Sequence, residues 1–377
     1  MTIQTPLTQR ETVRYSRHLV LPEVGPEGQA RLKRAAVACV GAGGLGSPVA
    51  LYLAAAGVGR IGLIDHDAVE EHNLQRQVLF RQGDVGSSKL AAARRELLGL
   101  NPDIEVDVHE VRLAAGNALD VLGGYDIVVD GADNFPTRYL VNDACVLLGK
   151  PEVWASIFRW EGQVAVFDAR RGPCYRCLFP RMPEAGSVPN CAEGGVLGVL
   201  PGVMGTLQAN EVIKLILGRG DALLGRLLLF DALGARFEEL QIGKDPACPA
   251  CGPGAKLELR DEAEVCEVPD DDALNVSADW LKARMDAGTA PPILDCRQPF
   301  EWDICQLPGS MLVPMAEIPR RLDEFARDAE IVVVCHHGRR SLNVAQFMRQ
   351  RGFARARSLD GGLDEWARRI DPAMARY

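Results

Sequence analysis

Residues 35–57 read AAVACVGAGGLGSPVALYLAAAG, and this stretch decides the fold of the first half of the chain. An apolar run ends at a glycine-rich turn, and a second apolar run with Pro48 near its start follows. This order predicts a buried strand, a tight turn and a helix. The segment from Ala35 to Gly59 carries no charge, but its proline and glycines divide it into short elements. We therefore interpret it as buried core rather than as a membrane span.

The same alternation of strand and helix continues along the chain. Further predicted elements are strands over 60–65, 105–111, 125–130 and 161–168, helices over 87–101 and 202–218, and a hairpin over 226–242. Strands that alternate with helices indicate a parallel sheet with helices on both faces, and the strand over 161–168 has an antiparallel pattern. The predicted fold is therefore α/β, with a Rossmann-like mixed sheet.

A second, smaller α/β pattern follows. Residues 253–275 are acidic, contain glycine and proline, and have no clear period, which is typical of a linker. Beyond them, strands and helices alternate again to the end of the chain. We expect a first domain over 1–252, a linker over 253–275 and a small α/β domain over 276–377.

Composition limits the class of protein. The 377 residues carry a net charge of −9, with 47% apolar and 25% charged residues, as in an ordinary globular protein. The negative charge gives no electrostatic case for binding nucleic acid. There are 11 cysteines, an odd number, and the first residues lack the apolar stretch of a signal peptide. We expect a cytoplasmic protein whose thiols serve metal binding and chemistry rather than disulfides.

A nucleotide site is predicted at the glycine turn, where the backbone can approach a phosphate and the helix N-terminus favours negative charge. The turn matches G-x-G-x-x-G, with glycines at Gly41, Gly43, Gly44 and Gly46. Asp65 ends the next strand, where a carboxylate can bind ribose hydroxyls. By itself this fingerprint is typical of NAD or FAD binding, and a tight turn without a ligand is the alternative.

Polar residues at later strand ends favour a nucleoside triphosphate over a nicotinamide. They are Asn73, Arg76, Lys89, Asp133 and Asn134. Cationic and amide groups suit the phosphates of ATP, while a carboxylate suits Mg²⁺. Solvated surface charge is the alternative for any one of them, but it is a poor account of a set at the edge where α/β folds bind ligands.

Two C-x-x-C pairs predict a zinc site. The pairs are Cys174 with Cys177 and Cys248 with Cys251. Four thiolates satisfy tetrahedral Zn²⁺ completely, so the site would be structural and would join two distant segments. Two redox pairs, or unrelated core cysteines, are the alternatives.

Together these motifs identify a family resemblance over residues 9–252. GAGGLGS, Asp65, NLQRQ, Lys89, GADN, both C-x-x-C pairs and PNCAEGGVLGVLPGVMG resemble the ubiquitin-activating enzyme family, in its molybdopterin-synthase and thiamine-biosynthesis adenylyltransferase branch. The resemblance implies ATP-dependent adenylation of the C-terminal glycine of a ubiquitin-like sulfur-carrier protein. It places the four glycines on the nucleotide, Asp65 on the ribose, Asn73, Arg76 and Lys89 on phosphates, and Asp133 on Mg²⁺.

Two further residues take roles only from that resemblance. Arg17 matches an arginine that family members supply from a partner subunit, which implies a homodimer; an ordinary helix-surface arginine is the alternative. Cys191, in PNCAE, matches a loop cysteine near the adenylate. Its thiol could bind the carrier as a thioester, a disulfide or a persulfide link, or could have no essential chemistry. His72 stands where the family often has serine, and we assign it no role.

The stretch CHHGRRS, residues 335–341, predicts a second site. Cys335 follows the apolar run over 331–334, and a helix beginning near Ser341 would aim backbone N–H groups at its sulfur. With Arg340 these groups would stabilise a thiolate or persulfide. A metal site and a basic surface turn are the alternatives, but adjacent Cys, His and His cannot easily converge on one ion, and the cysteine ends a predicted buried strand.

This second site resembles rhodanese sulfurtransferases over residues 275–377. The C-x-x-G-x-R-S loop, LDCR over 294–297, LPGS over 307–310 and GGL with Trp366 carry the resemblance. It implies that Cys335 carries a persulfide that Arg340 and the loop amides stabilise, and that Asp295 and Arg297 are structural. Cys296 and Cys305 stand where other residues are common; we favour apolar filler, with a resolving thiol as the alternative.

The combined prediction is an adenylyltransferase and sulfurtransferase that uses ATP, Mg²⁺ and Zn²⁺ to convert the carrier's terminal glycine into a thiocarboxylate. The sulfur donor would be a cysteine desulfurase or thiosulfate. One alternative is an adenylyltransferase whose rhodanese domain only docks partners, and another is a nucleotide-binding oxidoreductase. Molybdenum cofactor, thiamine, thiolated tRNA, cysteine or a specialised metabolite are all compatible destinations. The roles of His336 and His337 stay open.

Overall fold

A computed structural model of the chain describes residues 7–183, 195–261 and 274–377. The chain divides into two compact units, Met1–Glu264 and Val265–Tyr377. The predicted α/β class is confirmed for both units. The division falls within the predicted linker, while the domain boundaries at 252 and 276 stay a prediction. None of the helices in the described ranges has the length and hydropathy needed to span a membrane.

An eight-stranded sheet organises the described part of the first unit. Its strands are β1 Ala36–Val40, β2 Arg60–Asp65, β3 Glu105–Glu110, β4 Ile127–Asp130, β5 Glu152–Phe158, β6 Glu161–Phe167, β7 Arg226–Asp231 and β8 Arg236–Gln241. Their order across the sheet is β3-β2-β1-β4-β5-β6-β7-β8. Neighbouring strands are parallel in the first part of this order, β3-β2-β1-β4-β5, and antiparallel in the second part, β5-β6-β7-β8. The strand order reverses between β1 and β4, which is where open α/β sheets bind ligands.

Helices cover both faces of this sheet. They are α1 Gln9–Arg14, α2 Ser16–Leu19, α3 Gly25–Arg34, α4 Gly46–Ala56, α5 Lys89–Leu100, α6 Ala118–Gly123, α7 Phe135–Leu148, α8 Tyr175–Leu178 and α9 Leu200–Leu217. One apolar cluster packs α4, α5 and α9 against the sheet, and another packs α6 and α7 against it. Several elements were not predicted, among them β5 and α7, because buried polar residues such as Glu152 and Asn142 interrupt the apolar patterns of these two.

The second unit has a five-stranded parallel sheet. Its strands are β9 Asn275–Val276, β10 Ile293–Asp295, β11 Ser310–Leu312, β12 Ile331–Val334 and β13 Ala356–Leu359, in the order β11-β10-β12-β13-β9. Its helices are α10 Ala278–Asp286, α11 Pro299–Ile304, α12 Ile318–Arg321, α13 Arg339–Gln350 and α14 Gly362–Arg369.

The predicted linker contains ordered contacts at both of its described ends. Asn275 begins the edge strand β9, which pairs with β13. At the other end, Leu257 packs beside the cysteine pairs and Leu259 packs against the core of the first unit. The sequence did not predict these contacts, because each depends on a single apolar or backbone group within an acidic segment that has no periodic pattern.

Candidate functional site

The glycine turn folds tightly between β1 and α4. Gly41 has φ +87, and its N–H donates to the Ile64 carbonyl at 2.8 Å. A Cβ on Gly46 would lie 1.9 Å from the Gly41 carbonyl oxygen, so a side chain cannot be accommodated without moving the backbone. The turn therefore joins β1 closely to the start of a buried helix, and its contact with a nucleotide phosphate stays a prediction.

Asp65 holds this turn in place. Its Oδ2 accepts a hydrogen bond from Ala42 N at 2.8 Å, and its Oδ1 accepts from the backbone N–H groups of His66 at 2.7 Å and Asp67 at 2.9 Å. The carboxylate thus orients both the glycine turn and the chain leaving β2. Its predicted contact with a ribose stays a prediction.

The residues after β2 approach the same turn. A Cβ on Gly44 would lie 3.7 Å from Arg76 Cγ, which places that arginine beside the glycines. The Arg76 guanidinium donates to the His72 carbonyl at 3.0 Å, and Asn73 is buried. Lys89, at the start of α5, places its ammonium 2.8 Å from the Asp67 carboxylate. Cationic side chains therefore occupy the edge of the sheet where phosphates were predicted.

Asp133 and Asn134 follow β4 at this edge. Gly131, at the end of the same strand, lies against the glycine turn, since a Cβ on Gly41 would be 3.0 Å from its carbonyl oxygen. Asp133 is exposed and accepts a hydrogen bond from Asn134 Nδ2 at 3.3 Å. Asn134 caps α7, because its Oδ1 accepts from Thr137 N at 2.9 Å. The accessible carboxylate at this position is therefore that of Asp133.

Two buried carboxyl groups behind this edge were missed. Among the described residues, Asp130 Oδ2 accepts no hydrogen bond, and neither carboxyl oxygen of Glu152 has a hydrogen-bond partner. Burial raises the pKa of Asp130 to about 6 and raises that of Glu152 well above its usual value. An acid that ends a buried strand was the available signal for Asp130.

The described chain that follows Cys191, from residue 195 onward, returns to the edge of the sheet at the glycine turn. A Cβ on Gly198 would lie 2.4 Å from the Gln75 carbonyl oxygen, and one on Gly44 would lie 3.3 Å from Pro201. Cys191 itself lies outside the described residues, so its predicted role stays a prediction. Arg17 lies on α2 with an exposed side chain.

The two C-x-x-C pairs form one cluster. The sulfurs of Cys174, Cys177, Cys248 and Cys251 all lie within 4.8 Å of one another. The Sγ–Sγ distances are 3.9 Å between Cys174 and Cys177, 3.6 Å between Cys174 and Cys248, and 3.4 Å between Cys177 and Cys251. Tetrahedral Zn²⁺ with Zn–S bonds of about 2.3 Å needs sulfurs about 3.8 Å apart. The four thiols therefore fit the predicted ion.

Ionisation within this cluster is opposed by its own members. Burial and the neighbouring cysteines raise the pKa of Cys174, and burial with the Cys177 hydrogen bond raises that of Cys251 to about 12. Burial also acts against ionisation of Cys248, but backbone N–H groups of Cys251 and Ala250 bring its pKa below the usual value. A divalent cation removes this competition, since it stabilises all four thiolates at once.

The second site lies where β12 ends. Cys335 is 1% exposed, and its Sγ accepts a hydrogen bond from Ser341 N at 3.3 Å, with Ser341 Oγ at 3.4 Å. Burial acts to raise the pKa of Cys335, but hydrogen bonds from the Cys296 thiol and from Ser341, with the charge of Arg340, outweigh it and lower the pKa to about 6. The sulfur is therefore a thiolate at neutral pH.

Arg340 forms an ion pair that the sequence did not reveal. Its guanidinium pairs with the Glu301 carboxylate at 2.6 and 2.8 Å. The Tyr377 hydroxyl also donates to Glu301, at 3.1 Å. Arg340 therefore acts on the sulfur through its charge, in an orientation that Glu301 holds. Asp295 and Arg297 form the expected structural pair, 2.7 Å apart and fully buried.

The two histidines of CHHGRRS do not join Cys335 in a metal site. His336, His337 and Asp364 lie close enough to share an ion, but the cysteine is not among them. Asp364 already pairs with Arg376 at 2.7 Å and Arg368 at 3.1 Å. His336 is buried and stacks on the Tyr377 ring at 3.9 Å, and burial lowers its pKa to about 4. The His336 imidazole is therefore uncharged at neutral pH and lies buried next to Cys335 in the chain.

Comparison with known proteins assigns each unit. A ThiF family model matches residues 15–250, and a rhodanese-like domain model matches residues 277–369. A Mycobacterium tuberculosis protein named probable adenylyltransferase/sulfurtransferase MoeZ is 46% identical over 98% of this chain and 96% of its own length. A Thermus thermophilus protein named sulfur carrier protein adenylyltransferase is 56% identical over 65% of this chain and 92% of its own length.

A solved structure is similar to part of the chain. The crystal structure of E. coli MccB with ATP has a TM-score of 0.57 and 29% sequence identity to this chain. The similarity covers 64% of this chain and 75% of that one.

Proposed function

This chain belongs to the ThiF family and continues into a rhodanese-like domain, and we propose that it activates a sulfur-carrier protein with ATP and then transfers sulfur to it. The predicted family resemblances are confirmed, and its relatives are named adenylyltransferases and sulfurtransferases. One observation supports the proposal most strongly: a buried cysteine whose sulfur accepts the Ser341 N–H at the end of β12 belongs to the same chain as a ThiF family unit.

In the first step, the carrier's terminal carboxylate attacks the α-phosphorus of ATP. The bond from that phosphorus to the bridging oxygen breaks, pyrophosphate leaves, and an acyl-adenylate forms. The amides of the glycine turn hold the phosphates, while Asn73, Arg76 and Lys89 contact them and Asp65 meets the ribose. Mg²⁺ when bound neutralises phosphate charge, and the exposed Asp133 carboxylate is a suitable oxygen ligand for it.

In the second step, the terminal sulfur of a Cys335 persulfide attacks the acyl-adenylate carbonyl. AMP leaves, and the carrier is joined to Cys335 through an acyl disulfide. Cleavage of that S–S bond by thiols releases the thiocarboxylate. Direct exchange of carboxylate oxygen for sulfur is uphill, so the activated AMP ester supplies the driving force.

Several partners complete this proposal. The carrier is a ubiquitin-like protein ending in glycine, and the sulfur donor is a cysteine desulfurase or thiosulfate. The four clustered cysteines hold a structural Zn²⁺, and Cys191 provides a second point of covalent attachment. Arg17 completes the nucleotide site of a partner copy, because it is exposed on α2 and available to a second chain in a homodimer.

The division of labour between the two units has a direct test. Cys335→Ala should keep carrier-dependent ATP–pyrophosphate exchange within about twofold, because adenylation does not involve this thiol. It should reduce thiocarboxylate formation at least about 100-fold, because the persulfide is lost. Exchange of labelled pyrophosphate into ATP and intact mass spectrometry of recombinant carriers measure the two steps.

Cys305→Ala is the matched control, since it removes another cysteine of the same unit and should change neither step. Undiminished thiocarboxylate from Cys335→Ala would instead support a rhodanese domain that only docks partners. Loss of pyrophosphate exchange in that variant would contradict the separation of the two steps.

A further inference from the structure

A second cysteine lies beside Cys335 at the end of the neighbouring strand. Strands β10 and β12 are parallel, and Asp295 is in register with Val334. Cys296 N donates to the Val334 carbonyl at 3.0 Å, so the pairing continues one residue further. Cys296 and Cys335 are therefore the next facing positions and leave the same edge of the sheet.

The two thiols share one buried environment. Cys296 is 0% exposed and Cys335 is 1% exposed, and both belong to the same apolar cluster. Adjacent strands are about 4.8 Å apart, and a disulfide needs Cα atoms about 4.4–6.8 Å apart. The pair can therefore join without a large movement of either strand.

We propose that Cys296 is the resolving thiol of the sulfur-transfer step: it attacks Cys335 Sγ in the acyl disulfide and releases the thiocarboxylate. This inference rests on the proposed function. It assigns a catalytic role to a residue that the sequence pattern favoured as apolar filler, because the strand register places Cys296 opposite Cys335.

The step balances in atoms and electrons. A bond forms between the sulfurs of Cys296 and Cys335, and the bond between Cys335 Sγ and the acyl sulfur breaks. The acyl sulfur takes the electron pair and leaves as a thiocarboxylate, while the Cys296 proton passes to water. The Cys296 sulfur is oxidised by one electron and the acyl sulfur is reduced by one, while the oxidation state of Cys335 Sγ does not change. A dithiol reductant must then reduce the Cys296–Cys335 disulfide before another turnover.

The charge on Cys335 affects how readily the Cys296 thiol ionises for this attack. In the resting state the hydrogen bond to Cys335, then burial, then the Cys335 charge raise the pKa of Cys296, so its thiol stays protonated. Once Cys335 is bonded to the acyl sulfur it carries no charge, and those two opposing effects vanish. The Arg340 charge, which lowers the pKa of Cys296, remains. Burial and the Asp295 charge still raise the pKa of Cys296, so loss of the Cys335 charge weakens the opposition to its ionisation without removing it.

A solvent thiol and Cys305 are less well placed for this step. A solvent thiol must enter a site in which Cys335 is almost fully buried and the His336 and Tyr377 rings are stacked. Cys305 belongs to a different apolar cluster, and its sulfur lies 3.6 Å from the Arg297 guanidinium. Cys305 is therefore a matched control of the same residue type.

A single turnover of the full chain without reductant tests the proposal. The persulfide form would be loaded with thiosulfate, freed of excess reagent, and mixed with ATP and a carrier. Wild type and Cys305→Ala should release thiocarboxylate and contain a Cys296–Cys335 disulfide in non-reduced peptide maps. Cys296→Ala should accumulate the carrier–enzyme acyl disulfide, seen by intact mass and cleaved by dithiothreitol, and release at least about tenfold less thiocarboxylate.

Transfer of sulfur from thiosulfate to cyanide provides the folding control, because cyanide removes the persulfide sulfur without a resolving thiol. The thiocarboxylate from Cys296→Ala is counted per chain that carries a cyanide-removable persulfide, so a slower cyanide reaction does not affect the comparison. Equal thiocarboxylate release by Cys296→Ala, or a wild-type map without the disulfide after turnover, would overturn the proposal. If the variant loses the cyanide reaction, the wild-type map alone decides.

Failure of the proposed function has a different signature. Wild type would then make no thiocarboxylate even with dithiothreitol present, and the inference would fall with it.

Discussion

Cys335 shows how single residues set the chemistry of this chain. Burial alone would keep its thiol protonated, yet the hydrogen bonds from Cys296 and Ser341, together with the Arg340 charge, bring its pKa to about 6. The loop sequence predicted a site for an anionic sulfur. It did not reveal that the adjacent strand supplies one of the donors or that Glu301 holds Arg340.

The pH dependence of Cys335 alkylation follows from this pKa. The thiolate reacts, so the rate with iodoacetamide should rise with pH, with a midpoint near 6, and level off above it. Ser341→Ala removes the hydroxyl near the sulfur and should move the midpoint upward. Quenched alkylation followed by peptide mass spectrometry measures the rate for each cysteine. A wild-type midpoint at the pKa of an ordinary cysteine, about 8.5, would contradict the proposed stabilisation of the Cys335 thiolate.

At the scale of elements, the glycine turn shows which glycines the fold itself requires. A Cβ on Gly46 would meet the Gly41 carbonyl oxygen at 1.9 Å, whereas one on Gly43 would meet Gln77 Nε2 at an ordinary 3.7 Å. The sequence motif assigns both glycines the same role, but the backbone geometry shows that only Gly46 is required by close packing. Gly46 permits the close junction of β1 and α4, while Gly43 leaves the backbone open beside the predicted phosphates.

A pair of alanine variants tests this distinction. Gly46→Ala should destabilise the first unit by about 1–3 kcal/mol or more, because backbone must move to admit the methyl group. Gly43→Ala is the matched control and should leave the free energy of unfolding nearly unchanged. Urea unfolding monitored by circular dichroism compares the two. Equal stability of both variants would show that the turn is not packed as described.

At the scale of the whole molecule, the cysteine cluster joins distant parts of one unit. Cys174 and Cys177 lie at α8, while Cys248 and Cys251 follow β8, and their sulfurs converge. The segment at α8 is also tied to α7, because Arg176 pairs with Asp143 at 2.7 Å. A metal held by four thiolates would make these connections depend on its presence.

Removal of one cysteine should show that dependence. Cys248→Ser should lower zinc from about one ion per chain to a small fraction and lower the melting temperature of the full chain. Cys145→Ala, which changes a buried cysteine outside the cluster, should keep the zinc. Elemental analysis and differential scanning calorimetry provide the measurements. Wild-type protein purified without chelators and containing no zinc would rule out the assignment.

Sequence alone determined the α/β class of both units, the glycine turn, the paired C-x-x-C motifs and the cysteine at the end of β12. These features depend on local periodicity or on short motifs, so neighbouring residues are sufficient to specify them. Tertiary structure decided what no local pattern contains: the unpredicted β5 and α7, the Glu301 partner of Arg340, and Cys296 beside Cys335. Strand order and register set these contacts between residues far apart in the chain, because burial of the whole sheet determines which strands become neighbours.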